Sequence, residues 1–299
     1  MSDWGKGVIN DIGWGQGANN DIGWGSIYDK SNAGETLLSG GGIDPQAQAQ
    51  ITRIQNAGGT IENQNVIDAD IKFLKSIGLF ANLKYAVDTR AGLTERVDGS
   101  DIFASKIFDY SGSDADTDNA EGSEQPKKGI LNGVTSLDFD GVDDRLLNVN
   151  DISFPSGTEM FSVAVYSQDF TNSQTFASMV DKNTPDSGGK AFGKRGDDIN
   201  IFALGVEEFT DFENVQIIAS GTATTGNVLT GFINNVQKGQ ITRVVSYVGK
   251  TLGSLRASTA SAFFAKGKFQ KNWDFDALPT ESQAQAITDY LQAQFNITF

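Results

Sequence analysis

Residues 136–146 read Ser136-Leu137-Asp138-Phe139-Asp140-Gly141-Val142-Asp143-Asp144-Arg145-Leu146. Ser136 to Phe139 reads as a short strand, and Asp140-Gly141 supplies the turn that ends it. Asp143 and Asp144 carry short carboxylates that can bond the backbone N–H groups of that turn. Asp138, Asp140, Asp143 and Asp144 are also the densest patterned acidic cluster in the chain, and clustered carboxylate oxygens are what a hard cation such as Ca²⁺ takes. The residues therefore admit two readings, a capped turn or a calcium site.

Outward from this stretch the pattern repeats. Leu83 to Val87, Phe103 to Phe108, Phe161 to Tyr166, Ile199 to Leu204, Val215 to Ala219, Val244 to Val248 and Ser261 to Phe264 all read as short strands. Many short strands separated by Gly, Asn and Asp predict a mainly β protein, a β-sandwich or jelly roll. Asn234-Asn235 predicts a hairpin turn between Ile233 and Ile241. The polar, acidic run Ser111 to Lys128, with Asp114, Asp116 and Asp118, predicts an exposed loop.

Helices are expected on either side. Asp44-Pro45 looks like an N-cap followed by Pro at the first helical position, opening a helix to Gln55 that stops at Gly58-Gly59. Glu62 to Ile77 carries Ile67, Ile71, Leu74 and Ile77 at helical spacing, with Gly78 at the end. At the C-terminus Thr280 and Gln283 make a capping box, and Ala284, Ile287, Tyr290 and Leu291 form one apolar face.

The N-terminus is different in kind. Trp4-Gly5 opens a ten-residue unit that recurs at Trp14-Gly15 and again at Trp24-Gly25, and Asn10 to Gly15 is duplicated as Asn20 to Gly25. Ordering about 25 such residues costs roughly 1–2 kcal/mol each, and burying each Trp or Ile returns only about 1.5–3 kcal/mol. Such an arm needs another surface to fold on. The reading is a docking arm whose contacts are Trp4, Gly5, Ile12, Trp14, Gly15, Ile22, Trp24 and Gly25. The expected organisation is arm and connector over 1–42, a helical segment over 43–82, and a sandwich with its C-terminal helix over 83–299.

Composition narrows the chemistry. The chain has 299 residues, no His, no Cys and a formal net charge of −15. Missing His and Cys remove Ser-His-Asp and Cys-His catalysis, disulfides and thiolate metal sites. What remains is carboxylate chemistry, by a glycosidase pair or a calcium ion. The negative charge argues against nucleic acid as a partner. No apolar run is long enough for a membrane span, and the first residues lack a signal-peptide pattern.

The 136–146 stretch resembles the "FDGxDD" strand-turn-strand element of concanavalin A-like (laminin-G-like) lectin/glucanase domains. Leu278 to Phe295 resembles the helix that follows the last strand in that family, so the likeness brackets about two thirds of the chain. Ile51 to Ile61 resembles a helical prefix found before such domains in bacteriophage virion proteins, and the Trp-Gly arm is similar to N-termini of tailed-phage structural proteins. The resemblance implies a virion protein, assembled in the host cytoplasm and docked to other virion proteins, as capsid decoration, head fibre, spike or tail appendage. Homo-oligomerisation is expected, because multivalency lets weak contacts act together.

Two alternatives remain open within that resemblance. A receptor-binding lectin would use an aromatic platform for host-surface glycans. Trp273, the one Trp outside the arm, is the residue for that role or else a packing aromatic against the final helix. A polysaccharide-degrading enzyme of this family would carry alternating carboxylates such as Glu-x-Asp-x-Glu, and the chain has none. No catalytic residue is therefore assigned, and calcium is the only cofactor considered.

Overall fold

The computed structural model describes residues 42–119, 121–148, 152–154, 157–169, 176–182, 190–195, 198–201, 204–208, 216–226, 228–242, 247–248, 251–252, 254–257 and 260–298. The arm residues Trp4, Gly5, Ile12, Trp14, Gly15, Ile22, Trp24 and Gly25 lie outside them. The chain divides into two units, Met1–Gly41 and Gly42–Phe299.

Helices α1 (Pro45–Asn56) and α2 (Gln64–Ser76) open the second unit, α1 with the Asp44 cap the sequence predicts and α2 with Asn63, a cap the sequence reading did not single out. Asp44 accepts the amide of Gln46 at 2.9 Å ahead of Pro45, and Asn63 accepts that of Asn65 at 3.0 Å. Gly78, just past α2, takes a φ of +75°, which a side chain would resist.

Strands follow: β1 (Leu83–Asp88), β2 (Leu93–Asp98), β3 (Asp101–Ile107), β4 (Thr117–Asp118), β5 (Lys127–Leu131), β6 (Val134–Asp140), β7 (Leu146–Asn148), β8 (Ser153–Phe154) and β9 (Met160–Gln168). Next come β10 (Phe176–Lys182), β11 (Lys190–Arg195), β12 (Asp198–Ile201), β13 (Leu204–Glu208), β14 (Ile217–Ala223), β15 (Val228–Ile233) and β16 (Val236–Thr242). The last are β17 (Tyr247–Val248), β18 (Thr251–Leu252), β19 (Ser254–Ala257), β20 (Ala260–Phe264) and β21 (Lys266–Phe275), before α3 (Glu281–Phe295). Helix α3 begins with the capping box of Thr280 and Gln283.

Pairing is almost entirely antiparallel. One layer runs β16-β15-β14-β9-β21, and the far edge of β21 is shared by β1 along residues 271–275 and by β6 along 266–269. The other runs β2-β3-β4-β7-β18-β10-β11-β12-β13, joined to the first through β3 and β5 at Phe103 and Lys127. Side chains of both sets meet in one core, with Tyr85, Phe139, Tyr166 and Phe269 from the first and Leu93, Ile107, Phe192 and Leu252 from the second. This is a mainly β sandwich.

Every residue of β9 is buried, which explains its near-continuous apolar sequence. The core covers one face of the β9–β21 pair, and α2 and α3 cover the other, with Phe73 and Tyr290 stacked on Trp273. Asn234 and Asn235 form the predicted hairpin turn, both at positive φ (+52° and +62°) between β15 and β16.

Three strand and loop expectations are corrected or limited. Ser111 to Lys128 is not a solvated loop: it contains β4 and begins β5, and Ala115, Thr117, Asn119 and Gln125 are buried. Its polar groups are satisfied internally, as where Asn119 Nδ2 donates to the carbonyls of Glu124 and Arg145. Asp116 meets Arg53 of α1 at 3.3 Å. Ile199 to Leu204 is two strands, β12 and β13, paired at Ile201 and Leu204. Of Val244 to Val248, only Tyr247 and Val248 are among the described residues, as β17 paired with β8.

Candidate functional site

The stretch 138–146 joins the end of β6 to the start of β7, and its acidic residues separate into one and three. Asp138 lies opposite Lys268 in the β6–β21 register, is ion-paired to it and accepts the Ser136 hydroxyl at 2.7 Å. It does not join the other acids. Asp140, Asp143 and Asp144 bring carboxylate oxygens within 4.8 Å of one another.

The turn is capped as the residue types allow. Asp140 Oδ1 accepts from the amide of Val142 at 2.7 Å, and Asp144 Oδ2 accepts from that of Asp140 at 2.8 Å. Gly141 takes a φ of +81°, and a Cβ there would stand 2.8 Å from Lys266 Cβ. Only Gly fits this crossing without strain.

Burial pushes the Asp144 carboxyl up, the Asp140 amide opposes this, and the charges of Asp140 and Asp143 add to it, so the group titrates at about 7. Asp143 is also raised, by burial and by the charges of Asp140 and Glu124. The oxygens of the three acids suit a calcium ion in kind. Near neutrality a cation there competes with the proton on Asp144.

Trp273 is elsewhere and fully buried. It lies on β21, the last strand before the closing helix α3. Its ring is stacked near Tyr290 of α3 (centroids 5.9 Å apart) and Phe73 of α2 (6.4 Å), and its Nε1 donates to Tyr110 Oη at 2.9 Å. Sealed from solvent, it cannot serve as a glycan platform, and the packing alternative is the one the structure holds. The cause is a bulge: register in the β21–β9 pair shifts between Phe269 and Lys271. Phe269 points into the sandwich core, whereas Lys271, Trp273 and Phe275 turn towards the helices.

Sequence reading missed the charges this face carries. Asp70 of α2, Asp88 of β1 and Lys271 are all buried, and Lys271 lies directly opposite Asp88 in the strand register. The available signal was the alternation Lys271, Trp273, Phe275, which places an ammonium on an otherwise aromatic face.

The class defined by this architecture is a β-sandwich with helices layered on one sheet. No protein-family profile and no curated relative matches the chain. Among solved structures, it is similar to the binding domain of Paraclostridial Mosquitocidal Protein 1 (13% identity, TM-score 0.48, covering 71% of this chain and 53% of that one). It is similar also to the Botulinum neurotoxin serotype D binding domain (11% identity, TM-score 0.48, covering 73% and 53%). A third is domain 4 of AbnA, a GH43 extracellular arabinanase from Geobacillus stearothermophilus, in complex with arabinotriose (14% identity, TM-score 0.40, covering 69% and 98%). The chain spans about half the length of the two toxin domains. No helix among the described residues is long and apolar enough to cross a membrane.

Proposed function

We propose that this chain is a non-enzymatic structural protein of a bacteriophage virion, docked to other virion proteins by its N-terminal arm and displaying the sandwich on the particle surface. The observation that carries the reading is the repeated Trp-Gly segment, with its copies at Trp4-Gly5, Trp14-Gly15 and Trp24-Gly25. Three Trp at fixed spacing in a Gly-rich segment suit a mating surface rather than a flexible leader, because flexibility needs no Trp. Trp4, Trp14 and Trp24, with Ile12 and Ile22 between them, are the docking residues in this reading.

The test is deletion of residues 2–27 in the parent virus, with imaging of particles made with and without the segment. Surface density that disappears with the arm is the expected result. Density that persists sinks the docking claim, and its absence from both particles sinks the virion reading. Receptor recognition by the displayed sandwich is the alternative outcome, read by a glycan array with the full chain.

A further inference from the structure

Between the central strand and the helical layer, four charges are sealed together. Lys271 Nζ lies 2.6 Å from Asp70 Oδ2 and 3.1 Å from Asp88 Oδ2, with no side chain of the three more than 1% exposed. The two acids are held very differently. Asp88 is gripped by Arg90, whose Nη2, Nε and backbone amide donate at 2.7, 2.9 and 2.9 Å. Asp70 has no arginine: its other donors are two phenols, Tyr110 to Oδ2 at 2.5 Å and Tyr290 to Oδ1 at 2.8 Å. The ammonium also lies 4.4 Å from the centre of the Trp273 ring.

The charges resolve into two pairs. Arg90 and Asp88 form a lasting ion pair: burial works against the Asp88 carboxylate, but Arg90 and Lys271 outweigh it and hold the group well below the usual range. Burial pushes Asp70 up, and although Lys271 opposes this, the Asp88 charge adds to it. The Lys271 nitrogen is thus held against a carboxyl whose charge burial disfavours, and replacing this ion pair by a neutral group removes two charges from a site where ionisation is costly.

We propose that Lys271 and Asp70 condense into an intramolecular amide, covalently tying β21 to α2. The Lys271 nitrogen attacks Asp70 Cγ and the N–C bond forms. Tyr110 and Tyr290 donate to the carboxyl oxygens as negative charge develops there. Two protons leave that nitrogen for Asp70 Oδ2, 2.6 Å away, which departs as water, while the ionised Asp88, 3.1 Å from the nitrogen, stabilises the positive charge there. The C–O bond breaks and one water leaves. An ammonium and a carboxylate become one neutral amide and one water, with no oxidant or cofactor involved. Fixed proximity in a buried site makes a reaction that is slow between free partners accessible.

Intact mass of the full chain, measured under denaturing conditions after purification in the folded state, decides the matter. The expected mass is that of the sequence less one water. The expected tryptic digest joins residues 54–72 to residues 269–299 through an uncleaved Lys271. Lys271→Arg is expected to show its full sequence mass, a reading that holds whether or not the variant folds. A parent chain at full mass, with trypsin cutting after Lys271, overturns the proposal. So does loss of a water that maps elsewhere, such as to Asp98-Gly99 or Asp140-Gly141.

Discussion

The indole N–H of Trp273 is bonded to the hydroxyl of Tyr110 at 2.9 Å, and both side chains are fully buried. The bond sits where α2, α3 and the central strand meet, because Tyr110 in turn donates to Asp70 of α2 and Trp273 packs on Tyr290 of α3. Trp273 is thus the keystone of the helix–sheet interface. Trp273→Ala is expected to cost about 3–5 kcal/mol, the range for truncating a buried large aromatic. Urea unfolding of the full chain measures it. An effect confined to ligand binding, with unchanged stability, would contradict the assignment.

Arg90 is the counter-ion that keeps Asp88 ionised, and its guanidinium lies 4.6 Å from the centre of the Phe295 ring and 2.8 Å from Gln294 Oε1 at the end of α3. Removing one partner of a buried pair leaves an uncompensated charge and costs about 3–5 kcal/mol. Arg90→Met should therefore lower the urea midpoint sharply. Asp88→Asn in the same background should recover part of the loss, since it removes the stranded charge. A double-mutant cycle reads the coupling directly.

Asp144 gives a pH dependence with a definite sign. Its folded value of about 7 lies above the ordinary 3.8, so the folded chain holds the proton more tightly than the unfolded chain. The contribution is complete below the ordinary value and is lost as pH rises through about 7. Asp144→Asn should flatten this part of the stability profile and leave the variant more stable than the parent at pH about 8, as read by melting temperature against pH. Calcium chloride at the same pH should raise the parent's melting temperature if Asp140, Asp143 and Asp144 take the ion, because the cation replaces the lost proton. An unchanged melting temperature leaves this stretch a capped turn alone.

Gly141→Ala tests the turn from the backbone side. The substitution meets both a positive φ and the Lys266 side chain, so a cost of about 1–3 kcal/mol is expected. Lys266 has room to give only at the far end of its side chain, and the contact here is with Cβ. A neutral result by urea unfolding would mean that the β6–β7 connection moves to accept the methyl.

Local chemistry made much of this protein legible. Asp44-Pro45 and Thr280 with Gln283 cap helices because a side-chain oxygen within three residues of a free amide needs no distant partner. Gly78 and Asn234-Asn235 end or turn the chain because their backbone preferences are intrinsic. Phe161 to Tyr166 and Leu83 to Val87 appear as strands in their composition. The Trp-Gly repeat needs no structure to be seen. Tertiary structure alone decided which face each side chain meets. Asp138 left the acidic cluster because strand pairing set Lys268 opposite it. Trp273 turned inward, and Lys271 met Asp70 across 201 positions, because a one-residue bulge in β21 reversed the alternation of that strand. Asp116, expected in an exposed loop, was held by a group far along the chain, Arg53. Short-range preferences are written residue by residue, whereas register, bulges and long-range pairing come from the sum of many weak contacts that no single stretch encodes.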